Sequence, residues 1–155
     1  MIVDIEWSDE GAEGHVTFPW FKTDIELLVS GEVEPAYVEE CVKVLDSLSI
    51  TSSHLALDLM AATWRYWHSR ARGLFRKRDL QPHEVIKQVQ PTCLVVIPPA
   101  GEGYAFSVEF NCDWEKEHGM GWCVRNDEMV YVGPFEDNDP WDDSDTFDRN
   151  FVAFT

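Results

Sequence analysis

The densest group of side chains able to do chemistry is Asp113-Trp114-Glu115-Lys116-Glu117-His118-Gly119, where three carboxylates and an imidazole follow one another closely. Asp113, Glu115, Glu117 and His118 are residue types that hold a divalent cation or exchange a proton as an acid and base pair. Their spacing argues against both. Metal ligands ordinarily converge from several elements, and neighbours on an extended chain point to opposite sides. His118 lacks the HxH or HExxH companion of a zinc site, and His15, His54, His68 and His83 are scattered. The group therefore reads as a hairpin corner, with Gly119 and Gly121 supplying special backbone angles and Trp114 capping the core. No catalytic residue, metal ligand or cofactor is assigned. A small metal-dependent enzyme using residues 113–118 stands as an alternative.

A second concentration lies further on. Glu136, Asp137, Asp139, Asp142, Asp143, Asp145 and Asp148 crowd residues 136–148. The run invites a calcium reading, but it lacks the glycine and terminal glutamate of an EF-hand loop, and Pro140 interrupts it. A purely solvated acidic tail would need no aromatics. Here Trp141, Phe147, Phe151, Val152 and Phe154 are spread among the acids. They either dock on the domain or anchor a partner that the carboxylates steer. Glu136, Asp137, Asp139, Trp141, Asp142, Asp143, Asp145 and Phe147 are the candidate partner-binding residues.

Charge sets the class of partner. The chain carries 29 Asp and Glu against 12 Lys and Arg, a net charge of -17 on 155 residues. Such a balance disfavours nucleic acid and anionic membranes and favours a basic protein. Half of the basic residues (Arg65, Arg70, Arg72, Arg76, Lys77 and Arg78) fall in one stretch. No apolar run approaches the roughly 18 residues of a membrane span. The N-terminus lacks the positive start and apolar core of a signal peptide, so the expected location is cytoplasmic. Cys41, Cys93, Cys112 and Cys123 form no CxxC pair and read as small buried hydrophobes in a reducing compartment. No GxGxxG, P-loop or nucleophile elbow is present.

The elements that position these groups follow from periodicity. Val3, Ile5 and Trp7 alternate with Asp4, Glu6 and Ser8, as in a half-buried strand. Val16, Phe18 and Trp20 share a face of a second run, where Pro19 suggests an edge. Ile25, Leu27 and Val29 complete an N-terminal meander with an acidic outer side. Glu34-Pro35 opens a helix whose stripe is Val38, Cys41, Val42, Leu45 and Leu48. A second helix over residues 53–79 sets Ala56, Met60, Thr63, Trp67, Ala71 and Leu74 on one face. Arg65, Arg72 and Arg76 lie opposite, answering the protein's own carboxylates. Pro82 ends the helical region, and residues 84–90 are a connector or weak strand. The apolar run 93–97 reads as a strand buried on both faces. Tyr104, Phe106, Val108, Phe110 and Cys112 give the best period-two signal, followed by a hairpin turning at Asn126-Asp127.

One stretch resembles a known pattern. Residues 110–121, Phe-Asn-Cys-Asp-Trp-Glu-Lys-Glu-His-Gly-Met-Gly, followed by Val130-Tyr131-Val132-Gly133, are similar to a signature of small bacterial domains of unknown function. Its form is an apolar strand, D/N-x-W-D/E-x-E-H-G-x-G, then a short strand ending in glycine. Some of those domains are associated with polymorphic-toxin and immunity loci. The resemblance spans residues 104–133 and implies a bacterial cytoplasmic α+β domain that binds another protein; it carries over no catalytic residue.

The expected fold is α+β: an antiparallel sheet, built from the N-terminal meander and C-terminal hairpins, with two central helices packed on one face. Residues 1–134 form one domain, and 135–155 an acidic, aromatic-containing tail docked on it. The expected function is an immunity-type inhibitor that occludes a basic toxin or nuclease surface. A nucleic-acid mimic blocking a DNA-binding protein is the alternative within the binding class. Oligomeric state is not readable from these residues.

Overall fold

The computed structural model describes residues 2–48, 53–70, 79–142 and 150–152. Seven strands make one sheet in chain order: β1 (Ile2–Ser8), β2 (Gly11–Phe18), β3 (Thr23–Ser30), β4 (Gln90–Val96), β5 (Ala105–Asn111), β6 (Met120–Arg125) and β7 (Glu128–Pro134). Neighbouring strands are antiparallel except β3 and β4, which run parallel. A parallel pair requires a long crossover. The helices lie in it: α1 (Pro35–Ser47), α2 (His54–Arg70) and the short α3 (Pro82–Val85). The fold is thus α+β, with a mostly antiparallel sheet. Among the described residues no helix is long and apolar enough to cross a membrane.

α1 forms where the sequence places it. Glu34 is extended, Pro35 takes a first-turn position that needs no N–H, and Val38, Cys41, Val42 and Leu45 are buried. Leu48, just beyond, is buried too. Ala56, Thr63 and Trp67 of the expected α2 stripe are buried, but the buried face is wider than that stripe. Leu59, Ala62 and Tyr66 are fully buried, while Met60 is only half-buried. The buried face is broad because α2 meets more than the sheet. Phe151 stacks on Tyr66 at 4.8 Å, and the Arg65 guanidinium donates to the carbonyls of Phe151 and Val152, both at 2.8 Å. Arg65 therefore clamps the C-terminal segment instead of lining a solvated face. The expected continuation through Ala71, Arg72, Leu74 and Arg76 lies outside the described residues. Pro82 opens α3 rather than ending a helix, with the Glu84 carboxylate accepting the Gln81 N–H at 3.0 Å.

Two strand expectations fail for local reasons. In β1, Asp4 adopts a left-handed φ of 54°, and the pairing with β2 shifts between Val3↔His15 and Glu6↔Glu13. This bulge breaks the alternation. Ile2 and Ile5 pack on the core, whereas Val3 and Trp7 remain 39% and 41% exposed. Pro19 does not mark an edge strand. β2 lies between β1 and β3, and Pro19 begins a 3-10 turn, Pro19–Phe21, that ends the strand.

Residues of the strands and of the helices share one core. Val16, Phe18, Ile25, Leu27, Leu94, Phe106, Val108, Phe110 and Trp122 join Val38, Leu45 and Leu59 there. Trp122 lies against Phe110 at 4.5 Å between ring centres and Trp20 at 5.6 Å. Its indole N–H donates to the Thr63 hydroxyl at 3.0 Å, and that hydroxyl donates to the Leu59 carbonyl at 2.8 Å. Both buried polar groups are thereby satisfied.

The outer side is divided. At β5 and β6, Ser107, Gly121 and Cys123 are buried against the segment that follows β7. At β4, Leu94 and Val96 are fully buried but Cys93 and Val95 only half, so the expected burial on both faces does not hold. At β2 and β3 the outer residues Glu13, His15, Glu26 and Leu28 are exposed.

Candidate functional site

The 113–118 loop is organised by its neighbours more than by its charges. Gly119 has φ 70°, and its N–H donates to the Glu115 carbonyl at 2.8 Å. A Cβ there would come within 2.2 Å of the Phe110 carbonyl oxygen, so the close approach of that backbone requires glycine. The Gly119 carbonyl accepts the Phe135 N–H at 3.2 Å, and a Cβ on Gly121 would meet the Phe135 ring at 3.1 Å. Gly119 and Gly121 thus both seat the segment after β7. Trp114 is half-buried, edge-on to Tyr66 at 5.8 Å.

The ionisable groups of the loop stay near the surface. Asp113, Glu117 and His118 are exposed, and His118 Nδ1 lies 3.1 Å from the Glu115 carboxylate. That hydrogen bond pushes the imidazole pKa up; desolvation opposes it, and the charges of Glu117, Glu115 and Glu136 add to the rise. Among the described residues, no three His, Cys, Asp or Glu are arranged to hold a metal ion.

The acidic stretch after β7 is laid across the outer side of β5 and β6. The Asn138 carbonyl accepts from the Ser107 hydroxyl at 3.5 Å and the Cys123 thiol at 3.7 Å, and the Pro140 carbonyl from Arg125 at 3.4 Å. Trp141 packs on Gly101, where a Cβ would stand 3.3 Å from the indole. Trp141 is thus turned toward the domain, while Glu136, Asp137, Asp139 and Asp142 are exposed. Asp143, Asp145 and Phe147 lie outside the described residues. Further on, the Phe151 N–H donates to the Val132 carbonyl at 2.8 Å, and the Asn150 amide donates to the Val130 carbonyl at 2.9 Å.

The acidic outer side expected of the N-terminal strands lies beside this segment and extends to β5. β1 to β5 contain Asp4, Glu6, Glu13, Asp24, Glu26 and Glu109, but no Lys or Arg. Pairing aligns one outer row as Val3–His15–Glu26–Cys93–Glu109 and the next as Glu6–Glu13–Leu28–Val95–Ser107. A shallow groove of about 400 Å³ runs between Glu6, Glu13, His15, Glu26 and Leu28. Its floor includes Gly14, where a Cβ would lie 2.9 Å from the Ile5 Cα, because the bulged β1 passes close over β2. The Glu109 carboxyl is pushed up by burial, then by Asp137 and by Glu26. These three acids share one field, which joins the open rows to the docked segment. The signal was legible as acids on alternate strand positions without a single compensating cation.

The thiols take no part in this surface chemistry. None of the four cysteines is in a disulfide. Burial pushes Cys41, Cys93 and Cys112 up to about 12, far from the thiolate form at neutral pH. Cys112 and Cys123 do not pair; Cys123 instead lies 3.3 Å from the Ser107 hydroxyl on the outer side.

A family model described as a domain of unknown function (DUF6985) matches residues 2–139, from the first strand into the segment that covers β5 and β6. No curated protein and no solved structure matches the chain.

Proposed function

The chain belongs to that family of domains of unknown function, and from its own residues we propose that it is an acidic protein-binding module, an immunity-type inhibitor that occludes a basic toxin or nuclease surface. The observation that carries the reading is the unneutralised field on the outer side of the sheet. The Glu109 carboxyl is pushed up first by burial and then by the nearby Asp137 and Glu26, and β1 to β5 supply no cation. Self-repulsion of this kind is relieved by a cationic partner, which it also attracts at long range. In this proposal the helices back one face of the sheet. The N-terminal three strands form a meander whose outer side is left for recognition, the signature at 110–121 marks the immunity-associated group, and the protein works in the cytoplasm.

The mechanism is occlusion. Carboxylates speed the encounter with a basic cleft, and apolar contacts then slow dissociation. The test is capture at low salt from cells that carry the gene, identification of what elutes at high salt, and assay of that protein with the chain added back. The reading expects a basic protein whose activity the chain suppresses, with an association rate falling steeply as salt rises. Capture that ignores salt, or a captured enzyme that keeps full activity at saturation, would overturn it.

A further inference from the structure

Resting on that reading, we infer that the partner docks on the open half of the outer sheet face, over Glu13, Glu26 and Leu28, and presents an extended segment in which arginine alternates with apolar residues. The location follows from what is covered and what is not. The segment after β7 hides the outer side of β5 and β6, while β2 and β3 expose theirs. Val3, Trp7, Leu28 and Leu57 are the exposed large apolar side chains among the described residues. Val3 and Leu28 belong to the outer rows, and Trp7 borders a second hollow of about 410 Å³ that shares Glu6, Glu13 and Leu28 with the first. Val3 and Leu28 thus stand as apolar anchors among the carboxylates of the outer rows, whereas Trp7 pairs with the core-side Ala12 and Leu57 belongs to α2.

The chemistry of the occupant follows from the spacing. Glu26 and Leu28 stand two residues apart on β3, about 7 Å, the same step that separates alternate side chains of an extended partner. Glu6 and Glu13 face each other across β1 and β2, and His15 faces Glu26 across β2 and β3. A planar guanidinium can bridge carboxylates on adjacent strands while its aliphatic stem lies on Leu28. Lysine, a compact point charge, would reach one carboxylate and leave the rest unanswered.

The probe is a short capped peptide of alternating arginine and leucine, titrated into the isotope-labelled full chain and followed by amide chemical shifts. Shifts centred on the outer residues of β1 to β4 are expected. The double variant Glu13→Lys/Glu26→Lys should weaken binding by at least about tenfold, or 1.4 kcal/mol. Glu32→Lys/Glu39→Lys, an equal change of net charge at exposed positions before and within α1, should leave affinity within about twofold. Shifts confined to residues 135–142 or to the helices, or equal weakening by both pairs, would overturn the face while leaving a basic partner in place. No binding of the peptide at low salt would overturn the face and the basic-partner reading together.

Discussion

Gly119 holds the best-specified position in the chain. Its left-handed backbone and the Phe110 carbonyl 2.2 Å from a would-be Cβ leave no room for a side chain. Gly119→Ala is expected to cost at least about 2 kcal/mol in chemical denaturation and to loosen Phe135, whose N–H bonds to Gly119. The pair beside it gives a pH signature. His118 has a raised pKa in the folded chain, so its contribution is complete below the unfolded value and fades as pH rises through the folded one. Stability should therefore decline slightly as pH rises above the ordinary imidazole value of about 6.5, and Glu115→Gln should remove that dependence; an unchanged pH profile in the variant would refute the assignment. The sequence made the Glu117-His118-Gly119 corner and the capping Trp114 legible. It did not show why glycine recurs at Gly121, because the Phe135 ring that needs the space lies on a different segment. Contacts between distant positions have no periodic trace.

Elements with a single period were readable, and elements with two neighbours were not. α1 presents one apolar stripe to one core, and each residue of that stripe is buried. α2 serves both the core and the C-terminal segment, so its apolar face widens and Arg65 is drawn off the solvated side. β5 likewise alternates cleanly, yet Ser107 is buried because a later segment covers it. β1 looked regular, but nothing in its alternation announced a left-handed Asp4. The clamp by Arg65 belongs to this scale. Arg65→Ala should cost about 1.5–3 kcal/mol and strip hydrogen-exchange protection from the Phe151 amide. Lysine should restore little of it, since two carbonyls at 2.8 Å need a fork of donors. Full protection of Phe151 in the alanine variant would show that β7 alone holds that segment.

For the molecule as a whole, charge works against compactness. At a net -17, folding gathers carboxylates that the unfolded chain keeps apart. Raising sodium chloride from about 20 to 500 mM should increase Tm by several degrees through screening, and a flat or falling Tm would mean that the repulsion is already relieved internally. The seam between β3 and β4 has another consequence. Every other pair is antiparallel and joined by a short connection, whereas here Glu26–Val29 meets Cys93–Val96 across the whole helical crossover. Closing so long a loop must precede any return from the seam, which slows its formation relative to the local hairpins. Until it closes, β3 is a bare edge whose proper neighbour is still distant along the chain. The β4 of a second copy fits that edge as well as its own does, which makes strand exchange between chains the natural misfolding route. Refolding at increasing protein concentration tests this directly: swapped dimers should accumulate at the expense of monomer, and constant monomer recovery would exclude the exchange.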